Sequence, residues 1–244
     1  MATPKTPAHI DAMDWRINNV TWTTAPAVGA PIPAGAAFIQ AALLTLGTKR
    51  GGISVPNATA MFLNLSKSHL DQAEAFISAC QSSNDPHGHL PEADSFGAIE
   101  HYMASVVFAC TALEAFANEL IPDSFVHVIE KNDSDRHYNK EQIERWLTPL
   151  EKLGDVLPKA LNVATPKGGK LWEPCKKLFD IRDRIIHMKT ADRQFNDLSG
   201  RASSIWNELL QDPLPHTYSV AKSLMEHFFT AVGKTPRWFE KCPF

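Results

Sequence analysis

The sequence has few cysteines and no long apolar run. Its four cysteines lie far apart and form no Cys-x-x-Cys pair, so we expect reduced thiols without a zinc cage or a disulfide framework. No stretch of about 18 uninterrupted apolar residues occurs, which predicts that no helix spans a membrane. Residues 1 to 7 lack the basic cap and apolar core of a secretory signal. These absences predict a cytoplasmic protein that has no membrane partner.

Motifs for several large enzyme classes are also missing. The chain contains no phosphate-cradling glycine loop, no nucleophile elbow and no metalloprotease helix. His87 and His89 lie beside Asp85 in a predicted loop, but no third metal ligand stands at a helical or hairpin spacing. We therefore expect neither a metal ion nor another cofactor.

The two signs of charge are nearly balanced in number but unevenly distributed. The 24 bases and 27 acids give a net charge of −3, which does not support general nucleic-acid binding. Residues 57 to 130 carry one base and ten acids, whereas residues 159 to 189 carry eight bases and three acids. This asymmetry indicates either a surface for an anionic ligand or complementary helices that pack in one bundle.

Apolar periodicity predicts helices along most of the chain. Asn57 can cap a helix that runs to about residue 82, and His69 on its apolar side is expected to be a buried core histidine. The strongest helix is predicted from about 94 to 121, with apolar residues at alternating spacings of four and three, and Pro122 ends it. The apolar seam consists of Ile99, Met103, Val106, Cys110, Leu113, Ala117 and Leu120.

Local signals predict four further helices. Asn139 and Gln142 form a capping box at the start of the next one, although Pro149 should bend or split it. Another helix is predicted to begin near Glu173 and to run to about Lys189. The last two helices fit residues 201 to 211 and 216 to 232.

The chain is predicted to have three parts. Residues 1 to 56 hold six of the 17 prolines and favour an irregular amino-terminal arm, with a short strand within residues 15 to 23. Residues 57 to 190 form a helical bundle. Residues 191 to 244 supply carboxyl-terminal helices that pack on that bundle.

One segment of the predicted 173 to 189 helix carries residues suited to chemistry. Arg182 is followed directly by the polar Asp183, and four residues separate Arg182 from His187. This Arg-x4-His pattern resembles the signature of HEPN domains (higher eukaryotes and prokaryotes nucleotide-binding). Upstream, residues 112 to 120 resemble the second helix of bacterial HEPN proteins, and residues 150 to 153 with Leu171 and Trp172 resemble their approach to the motif helix.

The resemblance covers residues 57 to 190 and implies a fold and a mode of action. The implied fold class is all-α, an up-and-down helical bundle of the HEPN type with additional carboxyl-terminal helices. Active HEPN ribonucleases are typically dimers with a composite site, so the resemblance also implies a homodimer that binds RNA or a nucleotide.

Helical geometry favours a site shared between two chains. On an ideal helix the side chains of Arg182 and His187 point about 140° apart, so one helix does not aim both at the same phosphate. A second apolar patch, Phe179 and Ile186, lies between them. If that patch is a two-fold dimer seam, the arginine of each chain meets the histidine of the other.

These residue types suit RNA cleavage without a metal. An imidazole can take the proton of a 2′-hydroxyl or give one to the leaving 5′-oxygen, so His187 is the predicted acid or base. Arg182 would bind the phosphate and its developing charge. Asp183 would orient the imidazole and raise its basicity. The expected product carries a 2′,3′-cyclic phosphate.

Four further side chains form the predicted substrate-binding set. Glu114 and Asn118 either orient Arg182 or act as structural hydrogen-bonding groups within the bundle. Arg184 also fits a common ion pair with Asp180, four residues earlier. The set is Arg184, Lys189, Glu114 and Asn118.

The sequence therefore favours a metal-independent endoribonuclease of the HEPN type, with a toxin or antiviral defence component as the expected setting. The alternative is a non-catalytic HEPN module that binds a nucleotide, RNA or a protein partner such as an antitoxin. A third reading is a purely structural helical dimer.

Overall fold

A computed structural model describes most of the chain, in two compact units. The first unit takes Met1–Met61, as far as these residues are described, together with Lys234–Phe244, and the second unit is Phe62–Gly233. Residues 234 to 244 thus belong with the amino-terminal part, whereas the sequence predicted that they would belong with residues 191 to 233. The described residues are 13–18, 20–22, 37–85, 89–130, 134–193, 205–209 and 217–244.

The described chain is mainly α, as the sequence predicts, with short antiparallel strand pairs. The strands are β1 (Val20–Trp22), β2 (Ala37–Ile39), β3 (Ala41–Leu46), β4 (Lys49–Ser54), β5 (His127–Ile129) and β6 (Arg136–Tyr138). The helices are α1 (Ala58–Gln81), α2 (Glu92–Leu120), α3 (Lys140–Trp146), α4 (Pro149–Glu151), a π-helical turn (Lys152–Val156), α5 (Leu157–Leu161), α6 (Trp172–Ile186), α7 (Thr190–Arg193), α8 (Ile205–Leu209), α9 (Thr217–Val232) and α10 (Arg237–Glu240).

The first unit contains two antiparallel strand pairs, where the sequence predicted an irregular arm. β1 pairs with β2, and β3 pairs with β4. Gly47 has a φ of +60° in the turn between β3 and β4, a conformation that glycine adopts without strain. The strand predicted within residues 15 to 23 is β1. The prolines of residues 1 to 56 predicted an irregular segment. They lie outside β1 to β4, so they do not interrupt these strands.

Contacts of Arg237 explain why the closing residues join the first unit. Its guanidinium donates to the backbone oxygens of Met13 at 3.2 Å and Asp14 at 3.4 Å. The rings of Trp15 and Phe244 meet edge to face, with 5.7 Å between their centroids. Both contacts join positions more than 220 residues apart, so no local sequence pattern predicts them.

In the second unit, α2 is the central helix. It contacts α6, α8, α9 and the π-helical turn, and its buried face includes Val106, Leu113 and Phe116. Most of the predicted seam is buried, but Ile99, Met103 and Leu120 are only partly covered. Among the described helices, α2 alone is long and apolar enough to cross a membrane, with a mean hydropathy of 1.3 over 18 residues. Its buried face packs on neighbouring helices of the same unit.

The predicted helix caps are present. The Asn57 side chain accepts a hydrogen bond from the Ala60 backbone N–H at 2.8 Å, and Asn139 and Gln142 form the reciprocal capping box of α3. Pro149 splits the predicted helix, as expected, and Thr148 caps the segment that follows. α9 ends at Gly233, whose φ is +71°.

Two predictions fall partly outside the described residues. The predicted helix over 201 to 211 is described only as α8. In the predicted histidine loop, residues 86 to 88 are not described. Among the described residues, no group of three or more His, Cys, Asp or Glu side chains could hold a metal ion.

Candidate active site

The motif helix α6 is amphipathic, and its apolar side faces the bundle. Cys175 is fully buried and Ile181 is nearly so, whereas Asp180 and Asp183 are exposed. Burial raises the pKa of the Cys175 thiol to about 12, so this thiol stays protonated at neutral pH. The helix repeat alone accounts for the burial of Leu178 and Ile181, which lie on one side of α6.

The helix ends earlier than predicted, at Ile186 and not near Lys189. The His187 backbone N–H still donates to the Asp183 carbonyl at 2.8 Å, but His187 itself has φ −113° and ψ 37°, outside the helical region. The next residues turn, and Asp192 of α7 accepts a hydrogen bond from the Arg184 side chain at 2.8 Å. This ion pair joins α7 to α6. It could not form if the helix continued, because eight residues of helix would separate the two side chains by about 12 Å.

His187 and Arg182 both reach solvent. His187 is exposed, and the side chain of Arg182 is 32% exposed. Half-exposed Ile186 lies between them along the chain, with 52% of its surface accessible. The imidazole has no hydrogen-bond partner among the described residues. The predicted acid or base and the predicted phosphate ligand are therefore both accessible at the carboxyl end of α6.

Asp183 does not orient His187, contrary to the prediction from its spacing. Its carboxylate accepts a hydrogen bond from Nη1 of Arg182 at 2.6 Å. A guanidinium is a strong partner for a carboxylate, because both groups of the pair are ionised. Asp183 therefore holds Arg182, and the imidazole of His187 is left without an orienting side chain from this chain's described residues.

Arg184 is an internal brace and is not available to a substrate, which corrects its predicted role. It forms ion pairs with Asp192 of α7 and with Glu208 of α8, and its side chain is only 22% exposed. Burial lowers its pKa, but the hydrogen bonds to Glu208 and Asp192 outweigh burial, so the pKa of Arg184 is raised. The predicted pair with Asp180 does not form, because both of these carboxylates are closer. Asp180 instead lies near Lys177.

Glu114 and Asn118 do not bond to Arg182. The Nζ of Lys152 donates to Oε1 of Glu114 at 3.2 Å and to the backbone oxygen of Glu144 at 2.9 Å. Oδ1 of Asn118 is buried and has no hydrogen-bond partner among the described residues. Of the two roles that the sequence left open for Glu114, the contacts favour the structural one.

Lys152 is the residue of this region that the sequence analysis missed. Its side chain is fully buried in the π-helical turn, which is unusual for lysine. The sequence around it gives no signal of burial, because a lysine among leucines on a short helix normally extends into water. Lys152 and Glu114 are 38 residues apart in sequence, and only the tertiary fold brings their side chains together.

Electrostatic contacts place three of the predicted residues in one region. Burial raises the pKa of the Cys110 thiol, the charge of Arg182 lowers it, and the charges of Asp183 and Glu114 raise it further. The charges of Arg182, Asp183 and Glu114 are therefore all within electrostatic range of this one thiol. Sγ of Cys110 lies 3.6 Å from the Leu178 backbone oxygen of α6.

Of the two residues that would form the conditional dimer seam, only Ile186 is exposed in the single chain. Phe179 is 4% exposed within a single chain, so it belongs to the core and cannot cover a partner. Helical geometry alone could not decide this, because Phe179 lies at the edge of the buried side. Ile186 keeps the exposed apolar surface that a seam requires.

Lys189 is exposed, and no ion pair joins it to the described residues. Its backbone N–H donates to Oδ2 of Asp192 at 3.2 Å. Several other cations of the 159 to 189 segment are paired, as with Lys167 and Asp155, Lys176 and Glu173, and Lys177 and Glu208. The excess of bases in this segment is therefore mostly neutralised within the chain.

A separate cavity of about 420 Å³ lies beside β5. Its lining includes His127, Glu151, Asp155 and Lys159, and none of the motif residues of α6. Burial, followed by the charge of Lys159, lowers the pKa of His127, while Asp155 and Glu151 oppose this.

No protein-family model matches this chain, and neither a curated protein nor a solved structure gives a match. The residues of α6 and their surroundings are therefore what indicates a function. Within that region the accessible groups that suit chemistry are Arg182, Asp183, His187 and Lys189.

Proposed function

We propose that the chain is a helical bundle of the HEPN type and a metal-independent endoribonuclease that works as a homodimer. The observation that carries the proposal is the exposure of Arg182 and His187 at the same end of α6, on either side of Ile186. A guanidinium that binds the phosphate and an imidazole that moves a proton are the two groups that cleavage of RNA by attack of its own 2′-hydroxyl would use.

Arg182 binds the scissile phosphate. One of its N–H groups donates to Asp183, and no second acceptor for the guanidinium occurs among the described residues. A guanidinium offers five donors in a fixed fork, so donors remain for two phosphate oxygens. Asp183 fixes the direction of that fork, which is a positioning role for Arg182 in place of the predicted role for His187.

His187 transfers protons. As the base it takes the proton of the 2′-hydroxyl, whose oxygen then attacks the phosphorus; the bond to the 5′-oxygen breaks, and the imidazolium so formed returns that proton to the 5′-oxygen. The products are a 2′,3′-cyclic phosphate and a free 5′-hydroxyl. The position of His187 just beyond the end of α6 gives its imidazole room to approach a bound strand.

Two chains are needed to complete the site. Arg182 lies within α6 and His187 just beyond its last residue, and no hydrogen bond joins their side chains among the described residues. A two-fold axis beside Ile186 would bring the arginine of one chain toward the histidine of the other. The half-exposed Ile186 side chain supports this arrangement, because an apolar side chain there loses accessible surface when a partner covers it.

The proposal is tested by incubating single-stranded RNA with the purified protein in excess chelator. We expect cleavage by the wild type and a loss of about 100-fold or more in Arg182→Lys and in His187→Gln, since each substitution removes one catalytic element. Arg145→Lys and His137→Gln make the same chemical changes at exposed positions elsewhere and should cleave normally. Equal cleavage by all five proteins would remove the proposal.

A second candidate is a module that binds RNA or a protein partner without turnover. Two observations favour it: Asp183 leaves His187 without an orienting carboxylate, and most neighbouring cations are already paired. Saturable RNA binding that is reduced in Arg182→Lys, unchanged in His187→Gln and accompanied by no cleavage would identify this function.

A further inference from the structure

The β3–β4 hairpin of the first unit exposes an unusual amount of apolar surface. Leu43 is 90% exposed and Leu46 is 73% exposed, and every residue of β3 is accessible. Monomeric proteins seldom leave several large apolar side chains of one short segment in water. A two-stranded hairpin is also marginally stable alone, so a surface that covers this one would stabilise it.

The pairing register groups most of these side chains on one face. Residues directly opposite each other in an antiparallel pair point to the same side, and alternate residues of a strand share a face. Ala42 faces Ile53 and Leu46 faces Lys49 across the ladder. Leu44, between Ala42 and Leu46, completes an apolar face that ends in a lysine at the turn.

The turn end of the hairpin carries cations that the described residues do not neutralise. Lys49 and Arg50 are exposed and form no ion pair with the described part of the chain, unlike most cations of the α6 region. Residues 15 to 70 include no aspartate or glutamate at all. The hairpin therefore presents positive charge with no acidic group near it in sequence.

We propose that the β3–β4 hairpin docks on an anionic lipid surface. The apolar face, with Leu44, Leu46 and Ile53, would enter the boundary between headgroups and acyl chains, and Lys49 and Arg50 would contact lipid phosphates. Basic and apolar groups on one element are the combination that interfacial membrane binding requires. Gly51 and Gly52 leave open space beside β4, which lets the hairpin approach a flat surface closely.

Other occupants explain less of this surface. RNA would satisfy the cations but would leave the leucines in water. A second copy of the hairpin would cover the leucines but would bring further cations together without an acidic partner. The proposal differs from the sequence expectation that no membrane is a partner, and it is independent of the proposed cleavage of RNA.

The test is sedimentation of the full chain with vesicles of phosphatidylcholine alone, or with about one third phosphatidylglycerol. We expect binding to the anionic vesicles and little to the neutral ones. Lys49→Glu/Arg50→Glu should reduce the partition coefficient by about 30-fold or more, because each basic residue contributes separately to binding. Leu44→Asn/Leu46→Asn should reduce it similarly, since both leucines lie on the docking face and both are exposed.

Matched variants in the second unit separate this effect from general ones. Arg145→Glu/Lys170→Glu changes the net charge equally, and Leu90→Asn/Val126→Asn removes two other exposed apolar side chains. Both should bind as the wild type does, with unchanged circular dichroism. Equal binding to neutral and anionic vesicles, or no binding to either, overturns the proposal. So does a hairpin variant that alters only the oligomeric state or only RNA binding.

Discussion

Lys152 is a buried lysine whose ammonium group has two acceptors. Glu114 supplies a carboxylate oxygen at 3.2 Å and Glu144 a backbone oxygen at 2.9 Å. The two members of the ion pair are unequal, because the Glu114 side chain is 35% exposed and that of Lys152 is fully buried. Water can replace the partner of Glu114 but cannot readily replace the partner of Lys152.

This inequality predicts an order of stability. Glu114→Ala should lower the free energy of unfolding by about 3 kcal/mol, since it leaves a buried ammonium without its counter-ion. Lys152→Met should cost only about 1 to 2 kcal/mol, because it removes the charge and keeps the volume, leaving one backbone oxygen unpaired. Urea unfolding of both variants checks this, and a larger loss in Lys152→Met would contradict it.

His69 is half-buried and faces another histidine, which refines the expectation of a buried core residue. Its Nδ1 lies 2.9 Å from Nδ1 of His101, so one ring nitrogen must be protonated and the other must accept. The two rings stack at 5.1 Å, and Phe108 stacks on His69 from the other side. Burial, and then the charge of His101, lower the pKa of His69.

The lowered pKa predicts that acid destabilises the protein near pH 6. The unfolded chain binds a proton to His69 near pH 6.5, and the folded chain does so only at lower pH. The stabilisation is therefore complete above pH 6.5 and is lost as the pH falls through the lowered folded pKa. His127, whose pKa is also lowered, acts in the same direction.

The measurement is the free energy of unfolding in urea from pH 7.5 to pH 5. His69→Phe keeps the aromatic stack and should flatten part of the pH dependence. His137→Gln, at an exposed histidine, should leave the slope as in the wild type. An unchanged slope in His69→Phe would contradict the assignment.

At the scale of elements, α1 and α2 pack closely where glycine allows it. A Cβ on Gly97 would lie 2.8 Å from the ring of Phe76. That ring stacks on His101 with 5.6 Å between centroids, so it has little freedom to move away. Contact with Phe76 of α1 therefore explains why a glycine lies inside α2. Nothing within α2 itself requires glycine at this position.

Gly97→Ala should reverse the usual effect of this substitution. In an unhindered helix alanine is more stable than glycine by about 1 kcal/mol, whereas here we expect a loss of about 1 to 3 kcal/mol from overpacking. Gly97→Ala combined with Phe76→Leu should recover stability relative to the sum of the single changes, because leucine vacates the contacted space. Additive losses in thermal unfolding would show that the ring is not the cause.

At the scale of the whole molecule, the proposed site depends on two chains. A composite site makes a definite prediction for mixtures of inactive variants. In a heterodimer of Arg182→Ala and His187→Ala, the intact arginine and the intact histidine come from different chains. They meet in one of the two sites and are both absent from the other.

Mixing these variants after unfolding and refolding should therefore restore RNA cleavage to about half the wild-type level per heterodimer. The same mixture made from Arg182→Ala and Arg182→Lys has no intact arginine and serves as the control. Recovery in the control, or none in the test mixture from chains that do associate, would contradict a site shared across the axis.

Local interactions are what the sequence by itself determined. The caps at Asn57, Asn139 and Gly233 and the split at Pro149 follow from neighbours within about four residues, whose geometry the helix repeat fixes. The Arg-x4-His motif was found in the same way, and its exposure at the end of α6 agrees with a functional surface.

Partners distant in sequence were decided only by the tertiary structure. Lys152 forms an ion pair with Glu114, and Arg184 forms one with Glu208, because elements far apart in the chain pack together. The same packing buries Phe179 in the core. A charged side chain binds whichever opposite charge the fold brings nearest, and its spacing along the helix does not reveal that distance. For this reason the ion pairs and hydrogen bonds of Asp183, Arg184 and Glu114 could not be predicted from the sequence.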